Sequence, residues 1–246
     1  MIKLINRDLK YIFSKAKKLF LIYFLLIGLS QSYILTDSSK LPIELFIELV
    51  ADVGYIESMD GFVPAFFLFL FQLVPVFLVL YATYSDHVEN SSYLMVKTKS
   101  RGRYFSSKFV SGFIMILLIN LVLFIIIGGE TWIFKSYDKE VFEIFIRLIS
   151  SYIITEFIMF AISFVIAINF GYKFGVATTM FFLIISMTTN FKYFLGQQSL
   201  IMKQDVVGGY ISISDNIKAW LIYLTIGILI SFFTFRNYDF YGGSND

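Results

Sequence analysis

No cysteine occurs among the 246 residues. Disulfides, thiolate metal sites and a cysteine nucleophile are therefore excluded. Histidine is nearly absent as well, with His87 alone in the chain. The common zinc sites draw on several His or Cys ligands, so no zinc centre is expected. A His-dependent triad would have to use His87, and no nucleophile motif lies beside it. The phosphate-cradling pattern G-x-x-x-x-G-K-[ST] is also missing. The nearest stretch, "GYKFGVATT" from Gly171 to Thr179, spaces its glycines four apart and lacks the following Lys-Ser or Lys-Thr. Nucleotide binding through a P-loop is not expected. Gly171 and Gly175 suit a close approach of two helices at a short turn instead. Proline occurs only three times, and charged residues make up 15% of the chain.

What remains is apolar. Hydrophobic residues reach 58%, Phe alone numbers 30, and the mean hydropathy is +0.77. A soluble domain sits nearer 45–50% apolar. The excess falls in six runs, about Leu19–Leu35, Val63–Tyr84, Phe109–Gly129, Ile144–Asn169, Val176–Thr189 and Ile217–Phe235. Each approaches the roughly 17–25 residues needed to cross a bilayer, the fifth being the shortest. Such segments must be helical, because backbone in lipid has to satisfy its own hydrogen bonds. The alternation of a transmembrane barrel is not seen. The expectation is an all-α integral membrane domain over residues 19–246, with six transmembrane helices and no second globular domain.

Cationic residues fix the expected orientation. With the N-terminus in the cytosol, thirteen of the 20 Lys and Arg fall on the cytosolic side, at residues 3, 7, 10, 15, 17, 18, 97, 99, 101, 103, 108, 173 and 236. Both termini are then cytosolic and the outer loops span residues 36–62 and 190–216. Twelve of the 18 acids lie outside in this arrangement. Residues 1–18, "MIKLINRDLKYIFSKAKK", precede the first run. On a helical wheel Ile2, Ile5, Leu9, Ile12, Phe13 and Ala16 share one arc, and Lys3, Asn6, Arg7, Lys10, Ser14, Lys17 and Lys18 fall opposite. An amphipathic interfacial helix is expected, apolar face in lipid and basic face on anionic headgroups. A signal peptide is the alternative, with Gly28, Ser30 and Ser32 resembling a weak cleavage site, but the patterned segment is long for a basic n-region.

The most unusual stretch is "VKTKSRGRYFSSK", Val96 to Lys108, with five cations and no acid between two apolar runs. It belongs to a loop expected over residues 85–108, too long for a minimal turn. Within that loop Tyr93, Leu94, Met95 and Val96 form an apolar group, with Asn90 or Ser91 available to cap a short helix. Topology and contact with lipid phosphates explain the charge alone. The apolar group points further, to a docking element for a cytosolic partner. Asn90-Ser91-Ser92 fits the glycosylation pattern but falls on the cytosolic side, where it is a chance match.

At "ENSSYLMVKTKSRGRYFSSKFVSG", Glu89 to Gly112, the chain resembles the permease subunit of type-2 ATP-binding-cassette (ABC) exporters, of the small bacterial peptide- or antibiotic-exporting kind. The family carries an acidic residue, a small polar pair, a short helix ending in apolar residues, then Ser-Arg and a Lys opening span three. Here those are Glu89, Ser91–Ser92, Tyr93–Met95, Ser100–Arg101 and Lys108. The layout of a basic entry helix, six spans and both ends inside is also shared, although the family usually carries more Pro and Gly. The resemblance implies a coupling helix that docks a separate ATPase subunit, through Glu89, Tyr93, Leu94, Met95, Val96, Arg101 and Arg103. It implies no cofactor in this chain, with ATP and Mg on the partner subunit, and a second permease, identical or similar, completing the path. It also implies a segment between spans five and six that partly re-enters the membrane as an outer gate.

Polar residues inside the spans are costly and mark function or helix contacts. Glu156 in span four is the clear intramembrane carboxylate, with Asn120 in span three and Gln72 in span two. These three are candidates for a translocation path. Alternatively Glu156 is a neutral acid hydrogen-bonded to Asn120 or Gln72, and the two amides join helices. Ser151 and Thr155 lie one turn apart beside Glu156. Arg147 is expected to snorkel to the headgroups. In the outer loop 36–62, "LPIELFIELVADVGYI" has Pro42 near a helix start and Glu44 and Glu48 interrupting an apolar face.

The leading expectation is a non-catalytic permease subunit in a bacterial plasma membrane. It would export an amphipathic substrate, with an antimicrobial or toxin-like peptide as the favoured class. Its partners would be an ATPase subunit, a second permease and membrane lipids, with no nucleic acid. Three alternatives stand beside it: a six-span substrate-binding subunit of a vitamin or metal uptake system, an ATP-independent transporter, and a sensor or scaffold. An intramembrane enzyme would need paired catalytic residues, and Glu156 has no such partner in the sequence.

Overall fold

The computed structural model describes residues 1–34, 42–51, 67–98, 100–133 and 139–237. The expected outer loop 36–62 therefore lies largely outside the described residues, as does the start of the second run. Among the described residues there is no strand; one isolated parallel bridge joins Gln204 and Ile211. The helices are α1 (Ile2–Ile34), α2 (Pro42–Ala51), α3 (Val74–Thr98), α4 (Arg101–Ile133), α5 (Lys139–Phe170), α6 (Tyr172–Thr188) and α7 (Ile213–Asn237). A π-helical turn, Phe69–Leu73, leads directly into α3. Four helical stretches are long and apolar enough to cross a membrane, Phe69–Thr98, Arg101–Gly129, Lys139–Phe170 and Ile213–Arg236, and α6 is a shorter apolar helix. The protein is compatible with an all-α membrane protein.

The long helices run alternately between two ends of the molecule. Arg7 of α1 meets Asp86 of α3, and Lys108 of α4 meets Asp8. Arg101 donates to the main-chain carbonyl of Arg236 near the end of α7. The start of α1, the end of α3, the start of α4 and the end of α7 thus share one end, called here the basic end. At the opposite end Phe46 of α2 packs edge-on against Phe71 and Phe145.

α1 differs from the expectation of an interfacial helix followed by a separate span. It is one uninterrupted helix of 33 residues, or about 50 Å at 1.5 Å per residue. No Gly or Pro interrupts "SKAKKLFLIY", so nothing breaks it where the basic segment meets the apolar one. The apolar arc of the first 18 residues also divides. Ile12 and Ala16 are buried, in register with Phe20, Tyr23 and Ile27 three or four residues apart, whereas Ile2 and Phe13 are exposed. The buried stripe packs against α3 and α4.

The expected loop 85–108 is likewise a correction. Its residues are helical through Thr98 and again from Arg101. They form the tip of a helical hairpin rather than a loop carrying a separate short helix. Asn90 does not cap a new helix; its Nδ2 donates to Asp86 Oδ1 at 2.8 Å within α3. Ser100 is the polar residue between the helices, its Oγ accepting from the Arg103 amide at 3.4 Å. Buried charges on both arms, described below, hold these extra turns in place.

α5 is the central helix, in contact with α2, α3, α4, α6 and α7. It turns into α6 at Gly171, whose φ of 95° is open to a residue without Cβ. Across this hairpin Gly175 sits so close that a Cβ would lie 2.7 Å from the Ser163 carbonyl oxygen. Ser163 and Thr179 share a hydrogen bond of 2.8 Å beside it. α7 is peripheral: it touches α4 and α5 along one side and exposes Leu221, Ile222, Leu229 and Phe233 on the other.

Candidate functional site

Three polar clusters are built into this apolar frame. The first pins the basic end. Asp8 on α1, Asp86 on α3 and Lys108 on α4 are all essentially inaccessible, at 1% exposure each. Lys108 Nζ reaches Asp8 Oδ1 at 2.9 Å and also pairs with Asp86. Arg7 grips Asp86 with both guanidinium nitrogens at 2.6 Å and reaches Asp8 at 2.8 Å. Ser107 Oγ donates to Asp8 Oδ2 at 2.6 Å. Two acids thus face two bases, and the remaining carboxylate lone pairs take Ser107 and Asn90. Buried ions are tolerated in this form, paired and hydrogen-bonded together. Next to them, His87 Nδ1 lies 3.0 Å from the Tyr104 hydroxyl, and its ring packs near Phe105 and Phe164.

On the outer face of the same end, Glu89 accepts from Tyr11 and from Lys15, the latter at 2.5 Å. The residues anticipated at the coupling site therefore fall into two groups. Leu94 is buried and Met95 partly buried against the core, while Glu89, although exposed, is tied to α1. Tyr93, Val96, Arg101 and Arg103 are exposed at or beside the hairpin tip. Arg101 also caps the last turn of α7 through the Arg236 carbonyl.

The second cluster is in the middle of the bundle. Glu156 on α5 is fully buried and its Oε2 accepts from Asn120 Nδ2 of α4 at 2.7 Å. Its other oxygen, Oε1, has no hydrogen-bond partner among the described residues. Asn120 is also tied to its own helix, donating to the Ile116 carbonyl at 3.1 Å. The preceding residue, Thr155, accepts from the Trp220 indole of α7 at 3.2 Å. Of the three residues anticipated on a path, the structure brings Glu156 and Asn120 together and leaves Gln72 elsewhere. Gln72 lies in the π-helical turn and donates to Ser199.

Ser199 belongs to the third cluster, a cap at the end opposite the basic one, between α6 and α7. The chain makes three single 3-10 turns there, Gln197–Ser199, Ile201–Lys203 and Asp205–Val207. Gly196 and Gly208 supply positive φ between them. Gln197, Gln198, Ser199, Lys203 and Gln204 are all buried. Gln204 Nε2 donates to the carbonyls of Gln197 and Gln198 at 3.3 and 3.2 Å, and Asn216 Nδ2 donates back to Gln204 Oε1 at 2.6 Å. Lys203 Nζ donates to the Ser186 and Thr189 carbonyls at 2.7 and 2.9 Å, capping α6 with a cation where the helix dipole is negative. Burial lowers its pKa to about 8. Arg147 pairs with Asp205 of this cap at 2.5 Å.

Reading the sequence missed the acids of the first cluster. Asp8 and Asp86 were counted only as minority charges on a basic side. The available signal was that Asp8 is the sole acid in residues 1–18. A single acid among so many bases is placed for pairing. Among the described residues no group of three or more His, Asp or Glu is arranged to hold a metal ion. No family model, curated protein or solved structure matches the chain.

Proposed function

We propose that this chain is the permease subunit of an ABC exporter, with α1, α3, α4, α5, α6 and α7 as six membrane-crossing helices and the basic end in the cytosol. A separate ATPase subunit, carrying ATP and Mg, docks on the α3–α4 tip, and a second permease completes a path for an amphipathic substrate, a peptide being the favoured class. The observation that carries this reading is the rigid hairpin tip. Tyr93, Val96 and Arg103 are exposed on it, while Asp86 and Lys108 anchor its two arms in the buried charge cluster. A tip so anchored transmits a push from a docked partner to α1, α3 and α4 together, where a solvated loop would absorb it. Leu94 points inward, so contact with the ATPase falls to Tyr93, Val96, Arg101 and Arg103.

Purification from native membranes in mild detergent, with mass spectrometry of the associated proteins, tests this. A stoichiometric cytosolic protein bearing a P-loop is expected. Tyr93→Asp with Val96→Asp, or Arg101→Glu with Arg103→Glu, should release it while the chain stays inserted. Normal assembly by these variants would remove the tip from the docking role, and repeated purification of the chain alone would remove the exporter reading.

Glu156 favours a second reading, an ATP-independent transporter. A buried carboxyl with one oxygen unpartnered offers a site for a proton or a cation. Glu156→Gln abolishing transport by an otherwise intact chain, in the absence of any ATPase, would support it.

A further inference from the structure

A cavity of about 360 Å³ opens between α4, α5 and α7 near the basic end. Phe105 and Phe109 of α4, Phe157 and Ala161 of α5, and Leu224 and Phe232 of α7 form its walls. Its volume is at the lower end of the range for ligand sites, about 300–1,000 Å³. Gly102 and Gly227 leave room along it: an added Cβ at either would meet no atom within 4 Å. No charged residue lines it. Of its hydroxyls, Ser231 is already committed to the Gly227 carbonyl at 2.6 Å. A peptide backbone laid in this groove would find few partners for its N–H and C=O groups, at a cost of several kcal/mol for each in an apolar setting. Hydrocarbon carries no such groups and fits.

The mouth has the opposite character. Gly102 and Phe235 are the lining residues nearest the basic end, and each adjoins an arginine in sequence, Arg101 and Arg236. Arg101 reaches across from α4 to the Arg236 carbonyl, which holds the two helices together at that point. Both arginines are exposed. A guanidinium presents its N–H groups in a fork that matches phosphate oxygens. The combination is an apolar slot with a cationic rim at one end.

We infer that the α4–α5–α7 groove is a binding site for an anionic glycerophospholipid, one acyl chain lying between the phenylalanines and the phosphate held by Arg101 and Arg236. The occupant is chosen by the charge of the rim together with the scarcity of hydrogen-bonding groups along the walls, where only Ser106, Tyr223 and Ser231 carry a hydroxyl. The inference rests on the chain lying in a bilayer and does not require the exporter reading; Arg101 is common to both, so the lipid measurements are made on the chain without an ATPase. A lipid seated there bridges α7, which is otherwise packed along one side only, to the body of the bundle.

The test uses the full chain reconstituted with phosphatidylglycerol or phosphatidylcholine carrying a photoactivatable group on one acyl chain. With phosphatidylglycerol, labelling should concentrate on peptides containing Phe105–Phe109, Phe157–Ala161 and Leu224–Phe232. Native mass spectrometry should find it retained over phosphatidylcholine by about fivefold for each arginine engaged. Gly227→Phe fills the slot and should reduce both labelling and retention to the level of bulk lipid. Arg101→Gln with Arg236→Gln should bring the preference between the two lipids close to one while groove labelling persists, and this arm does not depend on the Phe variant folding. Labelling spread evenly over the outward residues Leu221, Leu229 and Phe233 would overturn the assignment, as would retention unchanged by Gly227→Phe. Cross-linking that places a second copy of the chain in the groove would also overturn it.

Discussion

Asp8, Asp86 and Lys108 at the basic end and the Glu156–Asn120 pair are buried to the same degree, and they are completed differently. At the basic end two carboxylates meet two cations, with Ser107 and Asn90 taking further lone pairs. In the bundle centre one carboxyl meets one amide, and Glu156 Oε1 is left over. A complete network is a clamp, because any rearrangement strands a buried ion. An incomplete one retains capacity to bind something. The same burial thus serves position in one place and leaves chemistry open in the other.

The comparison breaks most visibly at Lys108. Lys108→Met removes the cation shared by Asp8 and Asp86 and leaves Arg7 alone to serve both. A loss of about 3–5 kcal/mol is expected, the usual cost of breaking a buried pair by one partner. Asp86→Asn should cost a similar amount by leaving Asp8 alone to serve Lys108 and Arg7. Reversible unfolding in mixed micelles measures both. A loss below about 1 kcal/mol for each, the range of exposed pairs, would show the cluster to be solvated rather than clamped.

The central pair should respond less, and asymmetrically. Asn120→Leu takes away the one hydrogen bond that Glu156 makes to another helix and should cost about 1–3 kcal/mol, the penalty for a buried polar group left unpaired. Glu156→Gln keeps an acceptor for Asn120 with nearly the same shape, and its stability should change by less than about 1 kcal/mol. Transport is the readout that should move with Glu156→Gln. If that substitution destabilises the chain as much as Lys108→Met does, the two clusters are the same kind of object and the contrast fails.

Much of the frame was legible from hydropathy alone, because long apolar runs in lipid have no alternative to helix. Pro42 at a helix start and the close approach at Gly175 were likewise readable, each from one local rule. What escaped depends on long-range pairing. Ile12 and Phe13 are neighbours on one apolar arc, yet Ile12 is 1% exposed and Phe13 60%. A helical wheel orders residues around an axis and does not say which side a neighbouring helix will cover. The 85–108 segment read as a loop because its charges suggested solvent. Asp86 and Lys108 satisfy each other across 22 residues of sequence, so the helices continue through charged sequence. Glu156 with Asn120 was among the pairings anticipated. Gln72 is joined to Ser199 of the cap rather than to Glu156, a partner that a central position in an apolar run does not reveal.

Lys203 stands between the two extremes, and its response should be the smallest. It is a buried cation whose ammonium donates to the carbonyl oxygens of Ser186 and Thr189. Burial lowers its pKa from 10.5 to about 8. Below pH 8 the ammonium is charged in both folded and unfolded chains, so the burial cost is fully present. Between about 8 and 10.5 the unfolded chain binds more protons than the folded one, and stability must rise with pH. Amides of residues 197–207 and the last turn of α6 should therefore gain protection from hydrogen exchange as pH is raised from 7.5 to 9.5, after correction for intrinsic rates. Lys203→Met removes the titrating group and should abolish the gain. Protection that falls with pH in the parent chain would mean the ammonium contributes more through the α6 dipole than it loses through desolvation, which would place Lys203 with the clamp at the basic end.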